Sequence, residues 1–472
     1  IVNTTGNPDL YLIRGQKYRF INNSGGTHPF RIQSTSSTSY DTGVTNNNSN
    51  SGNIDFVPRN DAPARLYYNC TSHGGMLGNI YLRGASANET NVGVVTATAF
   101  IPAQGQLSHR NLIINGDMKV AQYGQSSTAS GHGSVDRFAV YHSTDDAPTQ
   151  SQSDVGLSDL PFTEQGITKC LKVTNGNQSG AGNAEYVEIN YKNEAQDIRN
   201  SGWNYQSSSS FITLSYYARS SVGQTFTAWI TNRDGTRKNF VWSYALSANT
   251  WTKITKVIPG DSGLTINNDN GAAFELWFQM FYGTNYTQAS PPGNNTGSWV
   301  NHDNQTVENN DTSWYLQNNA TFEITGVQLE VGSVATPFEH KSFSDNLRRC
   351  QRYYYQVGGQ TNDGGTDEPY GVLLPMAMVA SATRVKGVLT HPVPMRTGPS
   401  VSGGGSGTAK IQQGDNSPNN TLVYQGIWTS SNTPRYTWVD MSPNSGSVSN
   451  VGETGVVYAN NSTYHFKVSA EL

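Results

Sequence analysis

A chain of 472 residues carries 48 Gly, 25 Tyr and 9 Trp, but only 30 Lys+Arg and 34 Asp+Glu. Charged residues make up 14% of it, against roughly 25% in an average soluble domain. The 11% aromatic content excludes a disordered chain, and the formal charge of −4 excludes a typical basic nucleic-acid binder.

What remains is an all-β, extracellular-type protein with an uncharged polar surface, in which Asn is as frequent as Gly at 48 residues. The length suggests about three domains at roughly 150 residues each. No apolar run is long enough for a helix to span a membrane. The chain opens at Ile1 with neither Met nor signal peptide, which reads as the visible part of a longer polypeptide. Cys70, Cys170 and Cys350 lie far apart, an odd and sparse set that argues against a disulfide scaffold. Stability is therefore expected from large cores or from oligomerisation.

Residues 1–84 read as short strands at 10–13, 17–21, 30–32, 54–57, 65–68 and 79–82, separated by turn clusters such as Asn22-Asn-Ser-Gly-Gly26. Residues 85–107 hold small residues and a β-branched run, and read as a linker. No Trp occurs before Trp203, and seven of the nine fall between Trp203 and Trp314, which marks a different domain over 108–340. There the strands are longer: 211–218, 225–230, 240–245 and 274–281, with Asn232-Arg-Asp-Gly235 as a turn. Phe226, Ala228 and Ile230 alternate with Thr225, Thr227 and Trp229. With the 226 face inward, Trp229 either meets solvent or packs beneath a loop. Residues 341–360 form a short helix and connector. The helix is expected over 342–355, capped by Ser342 or Ser344, with Phe343, Leu347, Cys350 and Tyr354 on one stripe. A last β segment runs over 361–472.

Two constellations stand out. The first is Cys70-Thr-Ser-His73-Gly-Gly-Met76, preceded by His28 in Thr27-His-Pro-Phe-Arg-Ile32. A blue-copper site needs one thiolate, two imidazoles and a weak axial thioether, and a tight C-x2-H-x2-M loop presents three of these. This resembles the small members of the cupredoxin family over roughly residues 6–84. The resemblance implies a Greek-key β-sandwich with His28, Cys70 and His73 as equatorial ligands and Met76 as the axial ligand of a copper ion.

The second is a series in order: Arg110-Asn-Leu-Ile-Ile-Asn-Gly-Asp117, Val135-Asp-Arg-Phe138, Ile324-Thr-Gly-Val-Gln-Leu-Glu-Val-Gly332, Ala335-Thr-Pro-Phe-Glu-His340 and Leu347-Arg-Arg-Cys-Gln-Arg-Tyr-Tyr354. It resembles tail-fibre and receptor-binding proteins of marine bacteriophages and cyanophages over about residues 110–356. The resemblance implies a jelly roll like a carbohydrate-binding module, a following helix and a distal tip domain. It further implies a parallel homotrimer in the virion, joined to other tail proteins on its N-terminal side. Read from the residues, Asn115 and Asp117 suit a tight turn, and Asp136 and Arg137 suit a structural ion pair.

The chain lacks G-x-S-x-G, H-E-x-x-H and P-loop motifs, and the lone His391 and His465 have no catalytic context, so it is not expected to be an enzyme. Sugars stack on exposed aromatic faces while amides and hydroxyls read their hydroxyl groups. On that ground Tyr286 and Trp299 in the 282–299 loop, and Trp428, Tyr436 and Trp438 near the C-terminus, are candidate contacts for a bacterial surface glycan or outer-membrane protein. The expected whole is all-β: serial β-sandwiches, cupredoxin-like, jelly roll and distal tip, with one short helix. The expected role is host attachment, without nucleic acid or membrane insertion. The alternatives are a secreted carbohydrate-active enzyme or binding module, and a copper-binding redox protein.

Overall fold

The computed structural model describes residues 6–35, 37–84, 109–156, 166–305, 307–308, 311–359, 371–404, 408–413, 420–427, 432–444, 447–448 and 450–472. The chain forms two compact units, Ile1–Ile101 and Pro102–Leu472. The linker expected over 85–107 falls outside the described residues.

The first unit is a small two-sheet sandwich. One sheet orders Leu10–Ile13, His73–Arg83, Arg65–Cys70 and Phe30–Gln33; the other orders Tyr18–Asn22, Gly52–Phe56 and Val44–Thr45. Alternate residues Leu12, Ile32, Phe56, Leu66, Ile80 and Leu82 fill the space between them, as period-2 strands with one buried face require. Gly78 is needed in its strand because the Tyr68 ring lies 2.3 Å from where a Cβ would stand.

The second unit begins with a jelly-roll-like sandwich of two six-stranded sheets. The first orders Thr252–Pro259, Phe211–Ser220, Thr321–Val331, Lys169–Thr174, Thr149–Asp154 and Ser126–Ser127. The second orders Val300–Asn301, Lys238–Leu246, Gln224–Asn232, Ala272–Tyr282, Tyr186–Glu194 and Phe138–Ser143. Phe226, Ala228 and Ile230 do face the core, alongside Leu276, Phe278, Ile189 and Trp242. The C-terminal segment closes a six-stranded barrel of Val372–Ser381, Arg384–Thr390, Tyr436–Pro443, Asn420–Ile427, Ala409–Gln413 and Thr454–Ala459, which removes exposed sheet edges. A three-stranded sheet of Tyr354–Gly358, His465–Ser469 and Ser400–Gly404 lies beside it in sequence.

Two local expectations need correction. The helix spans only Phe343–Gln351, capped by Ser342, whose side chain accepts from Asp345 N. Tyr354 instead opens a strand that pairs with His465–Ser469, so a long-range ladder ends the helix before its stripe does. Cys350 is buried, whereas Phe343 is exposed. A second helix, Ala195–Arg199, was not anticipated.

The second correction concerns Asp136 and Arg137, which do not pair with each other. Arg137 adopts φ 72°, and its guanidinium pairs instead with Glu471. Asp136 accepts from the backbone and side chain of Gln122.

The motifs that resemble phage fibres knit the sandwich together rather than face solvent. Asn111 Oδ1 accepts from Ile113 N and Leu329 N, and its Nδ2 donates to the Val327 carbonyl. Asn115, at φ 61°, donates to the carbonyls of Val120 and Asp136 and accepts from Val120 N. Glu330 accepts from Gln328 and Thr336, and Glu339 accepts from Asn111 N. The opening and closing motifs are thus one buried polar network, with each amide satisfied as burial demands.

Candidate functional sites

In the first unit the strand register explains how distant residues meet. Phe30 pairs with Cys70, and Thr71 N donates to the Pro29 carbonyl, so His28 arrives beside Cys70. A bulge between Asn69 and Cys70 and the Thr71–Ser72 turn place His73 opposite Cys70. Cys70 Sγ lies 3.6 Å from His28 Nδ1 and 3.4 Å from His73 Nδ1. The two imidazoles are 4.5 Å apart, centroid to centroid. All three ligand atoms lie within 4.8 Å of one another. Behind them, Asn22 Nδ2 donates to the His28 carbonyl at 2.7 Å. His28, Cys70 and Met76 line one open cavity of about 430 Å³ with Phe20, Phe30 and Tyr68. Met76 is 42% exposed.

In the second unit, the outward face of the second sheet carries residues that the sequence reading passed over. Register aligns them in rows across the strands. Asn190 pairs with Trp277, Trp277 with Trp229, and Trp229 with Val241. One row along, Lys192 pairs with Glu275, Glu275 with Thr231, and Thr231 with Asn239. The two indoles lie 6.0 Å apart and 17° from parallel. Trp229 is buried with Val241 and Val307 against it, so the packing beneath a loop is what occurs. Thr287–Gln288 and Val307–Glu308 close that loop as a parallel pair, and Asn295 N donates to the Val241 carbonyl. Trp277 is only half-buried.

The result is an open cleft of about 400 Å³. Its lining includes Trp277, Tyr282 and Tyr286 as aromatic walls, and Arg233, Asn285 and Asn304 as hydrogen-bonding groups. Glu275 forms its floor, 3.1 Å from Arg233 and 3.5 Å from Lys192. Beneath Tyr282, whose hydroxyl donates to it, Glu188 is held far above the usual carboxylate range, at about 8, by burial and secondarily by Glu275.

The candidate glycan contacts divide. Tyr286 lines the cleft and packs edge-on to Tyr186. Trp299 does not face solvent: it is buried, packs on Phe240 and Phe274, and donates from Nε1 to the Pro259 carbonyl at 2.8 Å. That indole pins the loop to the core, because an apolar ring of its size gains more from burial than from exposure. Trp428 lies outside the described residues. Tyr436 and Trp438 alternate outward on the barrel wall, 43% and 38% exposed. Trp229, Trp277, Tyr282 and Arg233 were missed because their juxtaposition depends on strand pairing. The one available signal was Trp229 on the face opposite Phe226.

No protein-family model matches the chain, and no curated protein matches it. Among solved structures it is similar to the enzymatically active domain of bacteriophage CBA120 tailspike protein 4, at 10% identity and TM-score 0.26, over 47% of this chain. That match spans only 21% of the tailspike chain, well short of its length. The N-terminal cellulose-binding domain of Cellulomonas fimi β-1,4-glucanase C matches at 13% identity and TM-score 0.23, over 46% of this chain and 99% of that one. A tandem carbohydrate-binding module from Paenibacillus barcinonensis Xyn10C matches at 9% identity and TM-score 0.24, over 79% and 100%. Scores this low fall short of a shared overall fold; the all-β sandwich architecture rests on the strand order and registers themselves.

Proposed function

We propose that this protein binds a glycan chain in the cleft of the second sheet, as the attachment part of a bacteriophage tail fibre. The carrying observation is the half-open indole of Trp277, set over the buried Trp229 and flanked by Tyr282, Tyr286 and hydrogen-bonding side chains. A pyranose presents a C–H face to such a ring and hydroxyls to such neighbours. Tyr436 and Trp438 supply a second, weaker platform on the barrel. The resemblance of the interlocked motifs to phage fibres is what supports the virion setting, a homotrimer and a non-catalytic role. Several weak sites on one particle would gain by avidity.

The test is direct. Trp277→Ala is expected to weaken binding to host-surface polysaccharide about 30-fold or more, as loss of an aromatic hot spot does. Wild-type protein is expected to compete with virions for susceptible cells. Binding undiminished by Trp277→Ala would remove the cleft from the function, and an absence of any cell or glycan binding would remove the reading altogether.

A second reading rests on the first unit. The donor set of one thiol, two imidazoles and a nearby thioether, with three ligand atoms already converged, fits copper by ligand softness and type. His28, Cys70 and His73 would hold the ion, with Met76 beside it, and a bound ion would supply one-electron chemistry. Titration with Cu(II) is expected to give an intense visible band and one tightly held copper per chain. Cys70→Ser is expected to lose the band, and equal copper retention by both proteins would count against this site.

A further inference from the structure

With Lys192 behind Glu275 counted, three cations at the cleft (Arg233, Arg237 and Lys192) outnumber its two carboxylates, Glu275 and Asp303, although the chain as a whole is negative. Its buried carboxylate, Glu275, is already shared by two cations, Arg233 and Lys192. Arg237 is exposed at the cleft wall and has no ion-pair partner among the described residues. His302 stands beside them in the lining. Its pKa is lowered first by burial and next by Arg237, with Arg233 adding to this and Asp303 opposing it. The local field therefore favours an incoming anion. A guanidinium presents a planar fork of N–H donors that matches a carboxylate, sulfate or phosphate two oxygens at a time.

We infer that the cleft selects an acidic glycan, one whose sugar ring carries an anionic substituent that Arg237 receives while Trp277 takes the ring. This deepens the glycan-binding reading and depends on it. A net charge of −4 means that general attraction cannot draw a polyanion to the chain, so the preference must be local. The low charge content read from composition describes the surface at large and conceals this cluster.

The experiment measures binding of the full chain to three soluble polysaccharides of similar length: a polyuronate, a sulfated galactan and a neutral β-glucan. One or both anionic chains are expected to bind about tenfold more tightly than the neutral one at 0.1 M salt, and the advantage is expected to shrink as salt rises. The two anionic arms distinguish a carboxylate from a sulfate. Arg237→Gln is expected to lower the anionic affinity to that of the neutral chain, and Arg237→Lys to restore only part of it. Thermal unfolding and circular dichroism of each variant check that the exposed substitution leaves the fold intact. Equal or tighter binding of the neutral chain would overturn the acidic preference and leave glycan binding standing. An anionic advantage that survives Arg237→Gln would also overturn it. No binding to any polysaccharide would overturn the parent reading instead.

Discussion

Arg137→Met is expected to cost about 3–5 kcal/mol of stability, the range for breaking a buried ion pair by removing one partner. Arg137 is almost wholly buried, stacked 3.5 Å from the Tyr353 ring, and its Nη2 donates to the Lys192 carbonyl at 2.7 Å. Its partner Glu471 comes from the end of the barrel segment, so this pair ties barrel to sandwich. Around it, Arg396 donates to the carbonyls of Ala470, Glu471 and Asn270, and Arg352 grips Glu194 with two hydrogen bonds. Burial works against both charges. For Arg137 the Glu471 carboxylate, joined by Tyr353 and Tyr191, outweighs it, and for Glu471 the offset comes from Arg137, then His132 and Tyr123. Glu471 therefore titrates below its ordinary value. Its contribution is fully present above the unfolded pKa of about 4.5 and is lost as pH falls through the folded one.

In Arg137→Met the carboxylate remains desolvated without its cation, so its pKa rises and acidification should recover part of the loss. Urea unfolding at pH 7 and pH 5 checks both statements. Most of the Trp residues lie in the sandwich, so intrinsic fluorescence reports that domain. The double variant Arg137→Met/Glu471→Leu should be more stable than either single one, because an apolar pair avoids the stranded charge. A single variant costing under about 1 kcal/mol would mean that water reaches the pair and screens it.

How far these features could be read from the chain follows from what each depends on. Strands such as Leu10–Ile13 and Gln224–Asn232 were legible because alternation and turn residues are local. The approach of Cys70 and His73 was legible for the same reason: both sit within one tight loop. His28 joins them only through the Phe30–Cys70 register, which the family resemblance suggested and no local pattern encodes. The Trp277–Trp229 pair was invisible because it requires knowing that two strands far apart in sequence are neighbours. Trp299 and Asp136–Arg137 failed differently. Composition marks a loop as aromatic or charged, but the direction of a side chain depends on what packs beneath it, here Phe274 for the indole and Glu471 for the guanidinium. The residues of the motif series, Asn111, Asn115, Gln328 and Glu330, are buried and close the sandwich, so they present no binding face.

The second large effect concerns Glu188, and its sign is opposite to that of Glu471. Glu188 lies on the cleft-bearing sheet face between Tyr141 and Gln279, almost fully buried, with the Tyr282 hydroxyl as its donor and no cation paired to it among the described residues. Burial first, and Glu275 after it, raise its pKa to about 8 from an ordinary value of 4.5. A carboxyl group with a raised folded pKa holds its proton in the folded state while the unfolded chain releases it. Its contribution is present in full below pH 4.5 and is lost progressively as pH rises toward 8. Across that window stability should fall by about 1.4 kcal/mol per pH unit for this one group. Asp136, raised to about 7 by burial against the pull of Gln122, adds a slope of the same sign over a lower range.

Glu188→Gln keeps an acceptor for Tyr282 and cannot ionise. It should therefore match the wild type near pH 5 and exceed it at pH 8 and above, while the Asp136 slope persists below about pH 7 in both proteins. Urea midpoints measured from pH 5 to pH 9 decide this. If the two proteins ran parallel across the range, Glu188 would have to be ionised and solvated in the folded state. That would require water beneath Tyr282, and hence a cleft whose aromatic wall is not fixed from behind.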